Sequence, residues 1–139
     1  MRLAACCDVG LDIIEPCGFV WSDRRLQRAG MDYIELANVT RHTSWAAFRK
    51  VIKGRLVLLT TQSSSPFAGE TYQDEDILLL GRESAGVPPD VHEAADVRVR
   101  IPIVETARSL NVAIAGAMVL GEALRQLSGF PGQGQRHYE

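Results

Sequence analysis

An α/β fold, a parallel sheet covered by helices on both faces, is predicted by three features of this 139-residue sequence. Strand-like and helix-like segments alternate along the chain, the pattern of a parallel sheet whose crossovers are helical. Two runs, Leu56-Val57-Leu58-Leu59 and Ile77-Leu78-Leu79-Leu80, are apolar at every position, as strands buried on both faces are. Three apolar segments then end in loops, Leu59-Thr60-Thr61, Leu80-Gly81-Arg82-Glu83 and Ile101-Pro102-Ile103, and ligands of open α/β sheets gather at such carboxyl ends.

Taken in order, Arg2-Leu3-Ala4-Ala5-Cys6-Cys7 is helix-like, with no strand or cap before it. Leu11-Asp12-Ile13-Ile14 reads as a short strand stopped by Glu15-Pro16-Cys17-Gly18. Ser22-Asp23 caps a short basic helix over 23–28, and Tyr33-Ile34-Glu35-Leu36 reads as a second strand. Thr43 or Ser44 caps a helix running through Lys53, with Trp45, Phe48 and Ile52 at helical spacing and Gly54 closing it. The apolar strands 56–59 and 77–80 follow, and Pro88-Pro89 opens another helix. Val97-Arg98-Val99-Arg100-Ile101 alternates, which predicts a half-buried or edge strand. The last helix is expected over about 110–127, ending before Gly129 and Pro131, with a loose Gly-rich and polar tail over 129–139.

The chain is one domain by length, with 46% hydrophobic and 23% charged residues, ordinary values for a globular protein. No apolar run approaches the roughly 18 residues of a membrane span, and there is no signal-peptide layout. Three cysteines, Cys6, Cys7 and Cys17, are odd in number and lack metal-ligand spacing. They are expected to be buried, reduced thiols in a cytoplasmic protein. His42 and His92 stand alone and suggest no metal site. With 15 basic and 17 acidic residues the net charge is −2, so a phosphate-rich partner must be held by local patches.

Gly81 and Gly86 bracket a turn in which backbone can approach a ligand closely. The plain alternative is an ordinary strand-to-helix loop, and the turn is no P-loop because no Lys-Ser/Thr follows. Glu83 is either a solvated charge or a brace for backbone N–H groups of that turn. Ser109 and Asn111 sit at the mouth of the last helix, where capping and presenting N–H groups to a ligand are compatible roles. Three such loops together point to a nucleotide-like cofactor and hence to an enzyme. Arg24, Arg25 and Arg28 share one short helix near Trp21, with Arg41-His42 further along. A solvated face is the default reading of these charges; a phosphate-contacting patch with an aromatic for stacking is the functional one. Arg49, Lys50, Lys53 and Arg55 form a second cluster, read as a polar helix face.

The chain resembles the SPOUT superfamily of knotted methyltransferases, and within it the bacterial tRNA 2′-O-methyltransferases acting on the wobble nucleotide. The matching segments run in order over nearly the whole chain: Ile13-Ile14-Glu15-Pro16-Cys17-Gly18-Phe19, residues 24–33, Val39-Thr40-Arg41-His42, Leu59-Thr60-Thr61, Gly81-Arg82-Glu83-Ser84-Ala85-Gly86-Val87-Pro88, and Ile101-Pro102-Ile103 through Arg108-Ser109-Leu110-Asn111. Each is weak by itself; the ordered set is specific. The resemblance implies a single α/β-knot domain over 1–139, with a C-terminal trefoil knot that sequence pattern alone would never suggest. It implies S-adenosyl-L-methionine bound bent within the knot, an obligate homodimer, and the anticodon stem-loop of tRNA as substrate. Cofactor contacts fall by position on Leu59, Gly81, Ile101 and Ser109, with Leu110 adjoining and Thr60 and Glu83 in the same loops. Arg2 falls on a family arginine near the ribose 2′-hydroxyl, and Asn111 on an asparagine near the transferred group. As a permanently charged guanidinium, Arg2 suits orienting the hydroxyl and the adjacent phosphate better than removing a proton. RNA contacts are expected from Arg24, Arg25, Arg28, Arg41 and His42. The resemblance also implies a strand and an Asn-rich loop ahead of Arg2, so the chain is expected to start late, through a misplaced start codon or a shortening. If that shortening is real, the alternative is a knotted dimer that binds RNA without turnover.

Overall fold

The computed structural model describes residues 2–15, 38–82, 86–108 and 110–132. They fall in two compact units, one over Met1–Ile52 with Phe130–Gly132 and the other built on Lys53–Gly129. The expected basic helix over 23–28, the expected strand over 33–36 and Cys17 lie outside the described residues.

The first unit opens with helix α1, Arg2–Cys7, as its composition predicts. Asp8 ends it in the left-handed region at φ 54°. There the Val9 N–H reaches the Ala4 carbonyl (3.0 Å) and the Asp8 N–H the Ala5 carbonyl (3.3 Å), which satisfies carbonyls the helix leaves open. Cys6, expected to be buried, is exposed, and Cys7 is half-buried. Strand β1, Leu11–Ile14, lies where the sequence places it. It pairs in parallel with β2, Val39–His42, from Leu11↔Val39 to Ile14↔His42. Helix α2, Trp45–Val51, begins on Ser44, whose Oγ accepts from the Ala47 N–H at 3.1 Å. It stops two residues short of the expected Lys53, because Ile52 is already extended (φ −78°, ψ 148°). Phe48 anchors α2, buried between Trp45 (ring centroids 5.5 Å) and the edge of His42 (5.1 Å).

The second unit is a three-stranded parallel sheet, so the described strands form a pair and a triplet in place of one continuous sheet. Its order is β4-β3-β5, with β3 (Leu56–Leu59) central, β4 at Ile77–Leu79 and β5 at Val97–Val99. The central place explains the apolar run of β3: Leu56, Val57 and Leu58 are essentially inaccessible. Burying each such side chain contributes about 1.5–3 kcal/mol. β4 is one residue shorter than its apolar run, and Leu80, 40% exposed, turns out of the ladder. β5 is an edge strand in this sheet, as its alternation implies. It ends at Val99 because Arg100 changes partner: its N–H donates to Ser65 O (2.8 Å) and its carbonyl accepts from Phe67 N (2.9 Å). A 3₁₀ turn follows at Phe67–Gly69. Helix α3, Pro89–Ala94, starts from Pro88. Helix α4, Val112–Leu127, starts two residues later than expected, since Asn111 caps it. It ends in a left-handed Ser128 (φ 52°), with the Gly129 N–H on the Leu124 carbonyl at 2.9 Å. Val119 and Ala123 of α4 close over Val57, Val99 and Tyr72 to form the core.

Polar groups pin this core from one side. Arg55 donates to both carboxylate oxygens of Asp76 (2.9 and 2.7 Å), to Glu70 (3.3 Å) and to the Thr71 carbonyl (2.9 Å). Hydrogen bonding to Asp76 raises the Arg55 pKa beyond its ordinary value. Burial alone would lift the Asp76 carboxyl; hydrogen bonds from Arg55 and the Gln73 N–H outweigh it and hold Asp76 below its usual range. Desolvation, with Glu70 nearby, pushes Tyr72 up to about 12, and its hydroxyl donates to Phe67 O at 2.7 Å. Among the described residues no helix is long and apolar enough to cross a membrane.

Candidate functional site

Parallel strands carry their loops to one end, so the segments that follow β3, β4 and β5 share the carboxyl side of the second unit's sheet. There they surround a cleft of about 760 Å³, within the range that holds a small-molecule cofactor. Leu80, Ile101, Ile103 and Leu110 supply apolar wall; Arg82, Arg108, His92 and Glu93 supply polar groups.

Each loop is held by its own backbone bonds. After β3, the Thr60 N–H donates to Val99 O (2.9 Å), and its Oγ1 accepts from the Gln62 N–H (3.1 Å). Ser63 then ties the loop to β5 by donating to Arg98 O at 2.8 Å. After β4, Arg82 and Gly86 exchange two N–H···O bonds of 3.0 Å each, closing the turn. Gly86 sits at φ +66°, which glycine alone adopts without strain. A Cβ on Gly81 would lie 2.5 Å from Gly86 C and 2.7 Å from its O. Glycine at 81 is therefore demanded by closure of the turn itself, a different reason from the ligand approach expected from sequence. After β5, residues 101–110 lead to the cap of α4, where Asn111 Oδ1 accepts from the N–H groups of Ala113 (2.9 Å) and Ile114 (3.3 Å).

Of the seven expected cofactor residues, Leu59, Thr60, Gly81, Ile101 and Leu110 line this one cleft. Glu83 and Ser109 lie outside the described residues, as do Arg24, Arg25 and Arg28 of the expected RNA patch. Asn111 is seen as a cap, its side-chain carbonyl oxygen engaged by the first N–H groups of α4. Arg2 is exposed at the start of α1, in the first unit. In the same unit Arg41, 47% exposed, donates to Glu15 through Nε at 3.0 Å and Nη2 at 2.5 Å. His42 is buried, with Nε2 2.8 Å from Asp12 Oδ1 and its ring against Phe48. That environment makes His42 a brace between β1, β2 and α2.

Four wall residues with ionisable side chains were not selected from the sequence: Arg82, Arg108, His92 and Glu93. The signal for two of them was present. Pro89, His92 and Glu93 follow the Gly81–Gly86 turn at i, i+3 and i+4, one face of the helix that the turn delivers to the cleft. Arg98 fastens that helix from β5, its Nε and Nη2 donating to His92 O at 2.9 and 2.5 Å.

Comparison with known proteins shows what this chain is similar to. Residues 1–121 match the SpoU rRNA Methylase family. A tRNA (cytidine(34)-2'-O)-methyltransferase of Beijerinckia indica is 56% identical over 130 residues, covering 91% of this chain and 81% of that protein. The Escherichia coli K12 protein of the same name is 44% identical over 135 residues, covering 95% of this chain and 85% of its own. A solved structure described as "Structural insights into the 2-OH methylation of C/U34 on tRNA" superposes with a TM-score of 0.85 at 34% identity, over 92% of this chain and 85% of that one.

Proposed function

This chain belongs to the SpoU rRNA methylase family, and on that premise we propose that it is a tRNA 2′-O-methyltransferase acting on the wobble ribose of the anticodon loop. The observation that carries the reading is the convergence of the three post-strand loops on one cleft, in a chain 56% identical to a tRNA (cytidine(34)-2'-O)-methyltransferase. The cleft's residues fit S-adenosyl-L-methionine: its volume of about 760 Å³ suits a nucleoside-sized ligand, with an apolar wall for a purine and charged groups for an amino-acid tail. Leu59, Thr60, Gly81, Ile101 and Leu110 would hold it, with Glu83 and Ser109 completing the set. Once bound, the cofactor supplies an electrophilic methyl group on a sulfonium.

The chain's task is then to present a 2′-hydroxyl, a poor nucleophile while it keeps its proton. Arg2 is assigned to orienting that hydroxyl and the neighbouring phosphate, a role suited to a permanently charged guanidinium. Asn111 orders the start of α4 and offers its amide NH₂ to the ribose. Arg41, with Arg24, Arg25 and Arg28, contacts the anticodon stem-loop through phosphates. His42 serves that surface indirectly, by bracing β2. We read residues 1–139 as one α/β-knot domain with a C-terminal trefoil knot, working in the cytoplasm as a homodimer. Ile114 (55% exposed) and Met118 (41%), one turn apart on α4, support an apolar subunit contact.

Titration calorimetry with S-adenosylmethionine, followed by tritiated-methyl transfer to unmodified tRNA, tests the reading. The expected result is binding of the cofactor and label in tRNA. Binding without transfer would favour an RNA-binding module, and no binding would overturn both the enzyme and the cleft assignment.

A further inference from the structure

Arg108 lines the cleft, and the chemistry proposed above leaves it without a task. It is exposed, and among the described residues it forms no hydrogen bond or ion pair. Glu93 lines the same cleft and Glu105 lies three residues earlier in the chain, yet neither pairs with it. Stability of the fold does not explain this cation. Three residues on, Asn111 caps α4, whose first turn holds no acidic residue, so Arg108 precedes the positive end of a 16-residue helix dipole with no counter-charge. A positive group is unfavourable there, and a residue that breaks such a rule without a compensating gain is a candidate for function. Ile103 before it and Leu110 and Val112 after it are half-buried in the cleft wall, whereas the run from Val104 to Arg108 is exposed. Arg108 therefore belongs to the rim of the cleft. A permanently charged, forked donor in that place suits an anionic oxygen group arriving from solvent.

We propose that Arg108 is a substrate-binding residue, its guanidinium holding a phosphodiester of the RNA strand beside the ribose presented to the cleft. The inference rests on the methyltransferase reading above and adds a contact that reading does not assign. The rim position selects the anion. A cofactor occupies the half-buried interior of the cleft, whereas RNA stays outside and inserts only its reacting nucleotide, so its backbone meets the rim. Asn111, assigned above to the ribose, lies three residues away on the same segment. With a net charge of −2 the chain has no overall field to gather phosphate, so a single cation at the cleft carries a measurable share of the affinity.

The test compares the whole wild-type chain with Arg108→Gln and Arg108→Lys. It reads binding of unmodified tRNA across a range of salt concentrations, calorimetry with S-adenosylhomocysteine, and thermal unfolding without ligand. For Arg108→Gln the expected result is tRNA affinity lower by about three- to thirtyfold and a salt slope shallower by about one, the signature of one lost phosphate contact. Affinity for S-adenosylhomocysteine and the melting temperature stay at wild-type values. Arg108→Lys keeps the charge and restores the salt slope, but recovers only part of the affinity because it lacks the two-pronged donor geometry. Wild-type tRNA affinity and salt slope in Arg108→Gln would overturn the inference. Weakened S-adenosylhomocysteine binding in that variant would also overturn it, by assigning the guanidinium to the cofactor's carboxylate, and so would a melting temperature that falls in step with the loss of tRNA binding. If the wild-type chain binds neither tRNA nor S-adenosylhomocysteine, the parent reading fails and this one with it; if it binds both and Arg108→Gln binds tRNA equally, only this one fails.

Discussion

Gly81 answers to two demands at once, closure of its own turn and a place in the cleft wall. The glycine pair at 81 and 86 is visible in the sequence, and backbone approach to a ligand is the natural inference from it. The structure gives the closer cause, a Cβ meeting the Gly86 backbone at 2.5 Å within the turn. Gly81→Val is therefore expected to lower the melting temperature by several degrees and to abolish cofactor binding, the two losses appearing together. Loss of binding at an unchanged melting temperature would restore the ligand-approach explanation. Asn111 was legible as a helix cap, the role that the hydrogen bonds to Ala113 and Ile114 display. Ser128 was hidden: Gly129 marks the end of α4 in the sequence, yet the left-handed residue is the serine before it. His92 was read as isolated because the cleft it lines is assembled from segments distant in sequence.

Among the elements, β3 and β1 were read to the residue, since a fully apolar run or a short aliphatic run between turn signals has few alternatives. β2 was not read as a strand. Val39-Thr40-Arg41-His42 has one aliphatic residue, and its place depends on partners 26 and 30 residues away, Glu15 for Arg41 and Asp12 for His42. Long-range pairing of that kind leaves no local periodicity. The Arg55 cluster is a similar case, since the sequence reads Arg55 as part of a basic helix face, whereas it is the hub joining β3 to the segment before β4. Its effect on stability depends on pH. Asp76 titrates below its ordinary value in the folded chain, so its contribution is complete above that value and is lost as pH falls through the depressed one. Asp76→Asn is expected to cost roughly 1.5–3 kcal/mol at pH 7 and to flatten the acid-side decline measured by denaturant unfolding between about pH 5 and pH 2. A variant whose acid-side slope matches the wild type would place the acid sensitivity elsewhere.

At the scale of the molecule, alternation of elements and the parallel pairing of every described strand were legible, while the grouping of the described strands into a pair and a triplet was not. Strand identity follows from local apolar pattern, but strand order depends on which edges meet across helices and loops. The site was legible for a related reason: in parallel α/β units the loops after the strands converge by construction, so naming the strands named the cleft. A net charge of −2 gives the molecule no general attraction for nucleic acid, so the proposed tRNA contact has to rest on local basic groups. The proposed reaction sends the methyl group to a ribose hydroxyl at the wobble position. The most direct measurement is mass spectrometry of nucleosides and RNase fragments from unmodified tRNA treated with the protein and S-adenosylmethionine. The expected product is a 2′-O-methylated nucleoside confined to the fragment carrying the wobble position; methylation on a base, or in a fragment outside the anticodon loop, would rule the proposed reaction out.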